Sequence, residues 1–212
     1  FYLTHQSKNG FFTNSWADIP PKHSGLILQI CPDIALLELY KITNDKIYLD
    51  VVNNNIEWLF HNWWLKNGFQ GYVVNQTCKA IEAFLLLFDI TDLQKYKDLA
   101  FKLGSWVLTQ QLKRPGLGKG GFYQSIHDDR LILVYNAKVV PALVRLYTLS
   151  NDLSYRLALE NLTKFILNNL HKDGLFNSHL QFNLNELNRV GINSIYKVTK
   201  FIPPARQLVR QV

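Results

Sequence analysis

At 212 residues, 48% hydrophobic and 13% aromatic, the chain can bury a sizeable core, which excludes an intrinsically disordered protein. Cys31 and Cys78 match no metal or redox spacing, and no apolar run reaches membrane-spanning length. The formal charge of +7 is uneven: residues 1–100 hold 8 Lys and Arg against 10 Asp and Glu, and residues 101–212 hold 15 against 6, which turns the second half towards an anionic partner. The basic residues are scattered singly, a pattern that speaks against nucleic acid and equally fits a solvated basic surface.

In chain order, three segments align without gaps: "ALLELYKITNDKIYLD" from Ala35, "AFLLLFDITDLQKYKD" from Ala83 and "ALVRLYTLSNDLSYRL" from Ala142. Each runs through Ala, Leu and an aromatic to Thr or Ser, with Tyr48, Tyr96 or Tyr155 five residues further on. Ala80, Ala83, Phe84 and Leu87 fall at helical spacing, as do Val139, Ala142, Leu143 and Leu146, so each unit opens with a helix that is apolar on one face. Thr43, Thr91 and Ser150 are expected to cap a second helix as N-cap residues. In the third unit that helix carries a stripe of Tyr155, Leu159, Leu162 and Ile166, so each unit reads as a helical hairpin.

The connectors repeat too. "KNGFF" at Lys8, "KNGFQ" at Lys66, "GKGGFYQ" at Gly118 and "HKDGLF" at His171 each end a helix with Gly and then present an aromatic. With Gly10, Gly68, Gly121 and Gly174 as markers the steps are 58, 53 and 53 residues. Hairpins are thus expected over about 10–67, 68–120 and 121–173, with a fourth starting at 174, in a single domain spanning 1–212. The chain starts at Phe1 and has no Met, as an incomplete fragment would.

This pattern of "ALxxLY", a hydroxyl residue, an Asp-containing turn and a "GGFY" or "DGxF" connector resembles the α/α-toroid proteins: six-hairpin glycosidases, sugar and uronate epimerases and polysaccharide lyases. The resemblance implies an all-α fold of tandem helical hairpins forming an (α/α) toroid or part of one, with the substrate groove where the long connectors gather. It implies a saccharide partner, with the basic second half favouring an anionic one, and a reaction of epimerase, glycoside hydrolase or lyase type. Terpenoid cyclases share the toroid and stand as a further alternative, ranked lower because this sequence shows no convincing Asp-rich motif and no zinc-ligand set; no metal or other cofactor is expected. A non-catalytic helical repeat module, presenting a concave face to a protein or polymer, is the alternative.

On that architecture the groove side gathers Trp16 and Asp18, then Tyr72 and Gln76, then Tyr123, Gln124, His127, Asp128, Asp129, Arg130 and Asn136. His127-Asp128-Asp129 has no counterpart in the other connectors, which marks it as the leading reactive cluster. A carboxylate beside a histidine can tune proton transfer, and Asp18 with Asp128 or Asp129 can supply two carboxyls from separate segments. Uronate chemistry would instead draw on His127, Tyr123 and Arg130. Against this, the cluster can simply be a polar turn. Trp16, Tyr72 and Tyr123 suit sugar rings because they pair an apolar face with a polar tip, whereas Phe69 and Phe122 also suit packing between hairpins. Two triplets, Asn75-Gln76-Thr77 and Asn161-Leu162-Thr163, have the form of glycosylation sites, a form common by chance.

Overall fold

The computed structural model describes residues 2–13, 25–65, 68–69, 73–116, 118–170, 179–182 and 196–197. Among them three helical pairs stand out: α1 (Leu26–Thr43) with α2 (Lys46–Trp63), α3 (Val74–Thr91) with α4 (Gln94–Thr109), and α6 (Val140–Ser150) with α7 (Leu153–Asn168). A short α5 (Leu133–Ala137) leads into α6. The strands are two to four residues long. β1 (Trp64–Leu65) pairs with β2 (Gly68–Phe69), and β3 (Leu131–Ile132) pairs with β4 (His179–Phe182), which in turn pairs with β5 (Tyr196–Lys197), all antiparallel. The fold is all-α, as the periodicity predicts.

Each pair is joined by a tight two-residue link, and its chemistry differs from the expected one. Thr43, Thr91 and Ser150 are the last residues of α1, α3 and α6, not N-caps. Their hydroxyls donate back to the carbonyls of Leu39, Leu87 and Leu146 and accept the N–H of Asp45, Leu93 and Asp152. The next residue, Asn44, Asp92 or Asn151, turns left-handed at φ 56°, 54° and 55° and ends the helix. Asp45 and Asp152 are the true N-caps, accepting from the N–H of Ile47 and Ser154.

The first helices of the pairs lie side by side, with α3 between α1 and α6, and the second helices back them. Flanked on both sides, α3 buries Ala80, Ala83, Phe84 and Leu87 completely, and Phe84 stacks with Phe60 of α2 and Tyr96 of α4. Tyr96 and Tyr155 are buried as structural residues. Among the described residues α1 has a first helix, α3, on one flank. Its other flank exposes Leu28, Cys31, Ala35, Leu39 and Ile42 along the whole helix, with Ile42 81% exposed.

Two pairs of amide clamps hold connectors onto the helices. In the first hairpin the Phe12 N–H donates to Gln29 Oε1 at 2.7 Å and Gln29 Nε2 donates to the Phe12 carbonyl at 2.8 Å. In the third, the Phe122 N–H donates to Asn136 Oδ1 at 2.6 Å and Asn136 Nδ2 donates to the Phe122 carbonyl at 3.1 Å. Gln6 ties Gly10 to Val51 of α2, and Gln111 ties Gly120 to Ala158 of α7, by the same donor pattern. The structural equivalent of Gly10 is therefore Gly120, one residue before the Gly121 marker. Both take positive φ, 99° and 91°, and a Cβ on either would collide with a helix carbonyl, that of Asn54 or Asn161. Gly121 instead corresponds to Phe11, which packs on Trp58 at 5.2 Å, and its missing side chain leaves room for the Phe165 ring.

Beneath the first clamp, Asn55 Nδ2 donates to Asp33 Oδ2 at 2.8 Å and to the Gln29 carbonyl. Asp33 Oδ1 and Asn55 Oδ1 are both buried without a partner. Desolvation raises the Asp33 pKa well above its ordinary 3.8, against the lowering effect of the Asn55 bond. A protonated Asp33 gains a donor for this acceptor-rich pair.

Two predictions follow from these constraints. Gly120→Ala loses about 2–3 kcal/mol, from strain at positive φ and the carbonyl clash. Gly121→Ala loses less, because only the Phe165 and Leu131 side chains have to shift. Urea unfolding midpoints measure both. The raised folded pKa of Asp33 means its stabilisation is complete below about pH 4 and is lost as pH climbs towards the folded value. Asp33→Asn, which keeps a donor at every pH, flattens that fall, so thermal melts of the two proteins diverge as pH rises above the ordinary carboxylate range, with the variant the more stable.

Candidate functional site

The third connector crosses the start of α3. Tyr123 N–H donates to the Gln110 carbonyl, Gln124 N–H to the Arg130 carbonyl, and Val74 N–H to the Gln124 carbonyl at 3.0 Å. Val73 and Ser125 form an antiparallel bridge. One of the open N-terminal amides of α3 is thereby satisfied by the connector, which fixes Tyr123 and Gln124 over the helix end. Gln76 stands in the first turn of α3 and is partly exposed.

From there the chain reverses. Ser125 and Asp128 exchange backbone hydrogen bonds of 3.1 and 3.3 Å, and Ser125 Oγ accepts the His127 N–H. His127 sits exposed at the tip. Asp128 holds Arg130 through a forked pair, with Arg130 Nε 2.8 Å from Oδ1 and 3.0 Å from Oδ2, and also accepts the Arg130 N–H. That bond pushes the guanidinium pKa up further. The local ion pair thus involves Asp128 and not Asp129, and it engages the cation that uronate recognition would need. Asp129 is half-buried and close enough to act on the Tyr123 phenol. Burial raises the Tyr123 pKa, Arg114 lowers it and Asp129 raises it.

Asn136 has a structural part. It is 2% exposed, and its amide serves the Phe122 backbone and the Ile132 carbonyl. With both N–H donors and the oxygen engaged within the protein, it is a core clamp. Phe69 and Phe122 are buried as packing residues. His61 is exposed near the end of α2, with Nδ1 2.8 Å from the Glu57 carbonyl. Trp16, Asp18 and Tyr72 lie outside the described residues.

A small recess, with about 10 Å³ of space for a water-sized sphere, lies where these elements meet, lined by Val74, Asn75, Tyr123, Gln124, Tyr135 and Asn136 among others. Asn75 was singled out in the sequence only as part of a glycosylation triplet. At 7% exposure it is shut away from such modification and instead lines the recess. Its signal lies in the repeat: the residue fourteen before the hydroxyl is Gln29 in the first unit, Asn136 in the third and Thr77 in the second. Thr77 donates its hydroxyl to the Val73 carbonyl. The connector residues that would meet Thr77 lie outside the described residues, and the amides of this unit, Asn75 and Gln76, lie just before that position. Among the described residues no group of His, Cys, Asp and Glu can hold a metal, and no helix is long and apolar enough to cross a membrane.

No protein-family model matches the chain, and no curated protein sequence does. Solved structures do. An inactive α-1,6-mannanase of family 76 from Salegentibacter sp. HEL1_6, with two adjacent aspartates replaced and α-1,6-mannotriose bound, superposes at TM-score 0.70 and 17% identity. The match covers 86% of this chain and 53% of the mannanase. Cellobiose 2-epimerase from Spirochaeta thermophila gives 0.65 at 14% identity over 80% and 50% of the two chains. A D-mannose isomerase gives 0.63 at 17% identity over 85% and 54%. At these identities the likeness is one of fold: the chain has the α/α-toroid fold. It spans about half the length of these neighbours.

The clamp and the turn respond differently to substitution. Asn136→Ala, which orphans the Phe122 backbone, costs about 2–4 kcal/mol. Arg130→Ala, which breaks an exposed pair, costs about 0–1 kcal/mol. Thermal unfolding of both variants measures the contrast, and equal losses would contradict the assignment of Asn136 to the core.

Proposed function

We propose that the chain is part of a carbohydrate-active α/α-toroid protein that binds a saccharide across the rim where the third connector meets the start of α3, and acts on it. The observation that carries this reading is the gathering of Tyr123, Gln124, Gln76 and Asp129 at one end of the first helices by the Val73–Ser125 crossing. An aromatic with a polar tip, side-chain amides and a carboxylate are the groups that stack on a sugar ring and bond its hydroxyls. The fold neighbours, whose names describe enzymes of mannan, cellobiose and mannose, support the ligand class.

For chemistry, Asp129 is the carboxylate to carry proton transfer, since Asp128 is engaged with Arg130. Tyr123, whose pKa is raised, stays protonated at neutral pH and acts as a hydrogen-bond donor. Hydrolysis needs a second carboxyl from another segment, the place we assign to Asp18; epimerisation needs an acid–base pair, for which Asp129 and His127 are available. An acidic sugar would look to Arg114, which acts electrostatically on Tyr123.

The alternative, a binding module without catalysis, draws on one observation: no Asp or Glu lines the recess. Incubation with α-1,6-linked mannooligosaccharides, cellobiose and oligouronates, followed by proton NMR and reducing-end assay, separates the readings. The enzyme reading expects new anomeric signals or shorter chains, and a loss of about 100-fold in Asp129→Asn with binding retained. Binding by the wild type with no turnover on any of the three would establish the module instead.

A further inference from the structure

We propose that this chain associates head to tail with a second copy of itself, the outer flank of α1 in each copy packing on the outer flank of α6 in the other. The repeat supplies the argument. Ala35, Ala83 and Ala142 share one column of the aligned segments, and Leu39, Leu87 and Leu146 share another. In α3 and α6, each of which has a first helix before it, these residues are completely buried. In α1 both are exposed, Leu39 at 42%, and Leu28 and Ile42 extend the apolar strip towards the two ends of the helix. A further column reads the other way. Leu37 and Leu85, on helices with a first helix after them, are completely buried. Val144 of α6, with none after it among the described residues, is 44% exposed beside Pro141 and Thr148.

The two ends of the row thus carry the two halves of a contact that the chain already makes twice, between α1 and α3 and between α3 and α6. A long exposed apolar strip marks an interaction surface, and complementary halves of this kind join head to tail. Two copies make two such contacts and leave no free end when each hairpin turns the row by about one sixth of a circle. Charge permits the contact. The ion pair of Arg145 with Asp89 occupies columns that hold Glu38 in α1 and Thr148 in α6, so a carboxylate meets a hydroxyl and no like charges face each other. The fold neighbours hold in one chain about twice the length that this chain matches, which is the length two copies supply. The assembly is independent of the saccharide reading.

Sedimentation velocity and light scattering of the 212-residue chain, from about 1 to about 100 µM, test the assembly. The expected particle has twice the 24.6 kDa mass of one chain and stops growing there. Leu39→Lys and Val144→Glu, both at exposed positions, each weaken association at least about tenfold, with thermal melts showing that the variants are folded. An equimolar mixture of the two variants recovers the two-chain particle, because one of its two contacts is then native on both sides. A single chain throughout that range overturns the proposal, as does a mass that rises past two chains. Undiminished association of Val144→Glu also overturns it, since the α1 flank would then be pairing with its own counterpart.

Discussion

The clamp between a helix amide and a connector backbone is the interaction on which the rest of this structure depends. A connector that leaves one hairpin and enters the next carries peptide groups that would be orphaned wherever it dips into the core. Gln29 and Asn136 supply a donor and an acceptor at once, so Phe12 and Phe122 can insert their rings beneath the helices with their backbones satisfied. Gln6 and Gln111 repeat the device one layer out, against α2 and α7. The result is a connector fixed at both ends, which leaves the stretch between free to carry function. The 125–130 turn is such a stretch.

The middle unit is held at its start by a different contact. Thr77 stands in the clamp column and donates to the Val73 carbonyl, and the Val74 N–H at the start of α3 is satisfied by the third connector. A small recess lies beside this crossing, and Asn75 Oδ1 and Gln124 Oε1 are buried there without a partner. Burying an acceptor without a donor costs about 1–3 kcal/mol per group. A fold keeps such a cost where a ligand or an ordered water relieves it.

Much of this was legible in the sequence. The three aligned segments identified the hairpins because burial of Ala80, Ala83, Phe84 and Leu87 imposes a helical period that chain order preserves. The links were misread at Thr43, Thr91 and Ser150, since a hydroxyl that closes a helix and one that opens the next leave the same trace two residues apart. Polarity near a helix start does not say which way an amide points, so the clamp that Asn136 makes on Phe122 is not legible in the sequence. Asn75 was missed for the converse reason. Its burial comes from a connector more than forty residues away in sequence, and no local pattern records that crossing. The reactive cluster was half legible: its uniqueness was visible, while the Asp128–Arg130 fork that divides the two aspartates was not.

The exposed apolar flank of α1 contrasts with the all-round burial of α3, and the neighbours of this fold are about twice as long. That exposed flank does not disturb the Gln29 and Asn136 clamps, which face the other way into the core. Amide hydrogen exchange at Phe12 and Phe122 tests them most directly. Clamped N–H groups exchange only through global unfolding, so both should be as protected as the core amides of α3. Exchange at the rate of an open loop, within seconds to minutes at neutral pH, would show that the connectors are not held, and the rim built on them would lose its support.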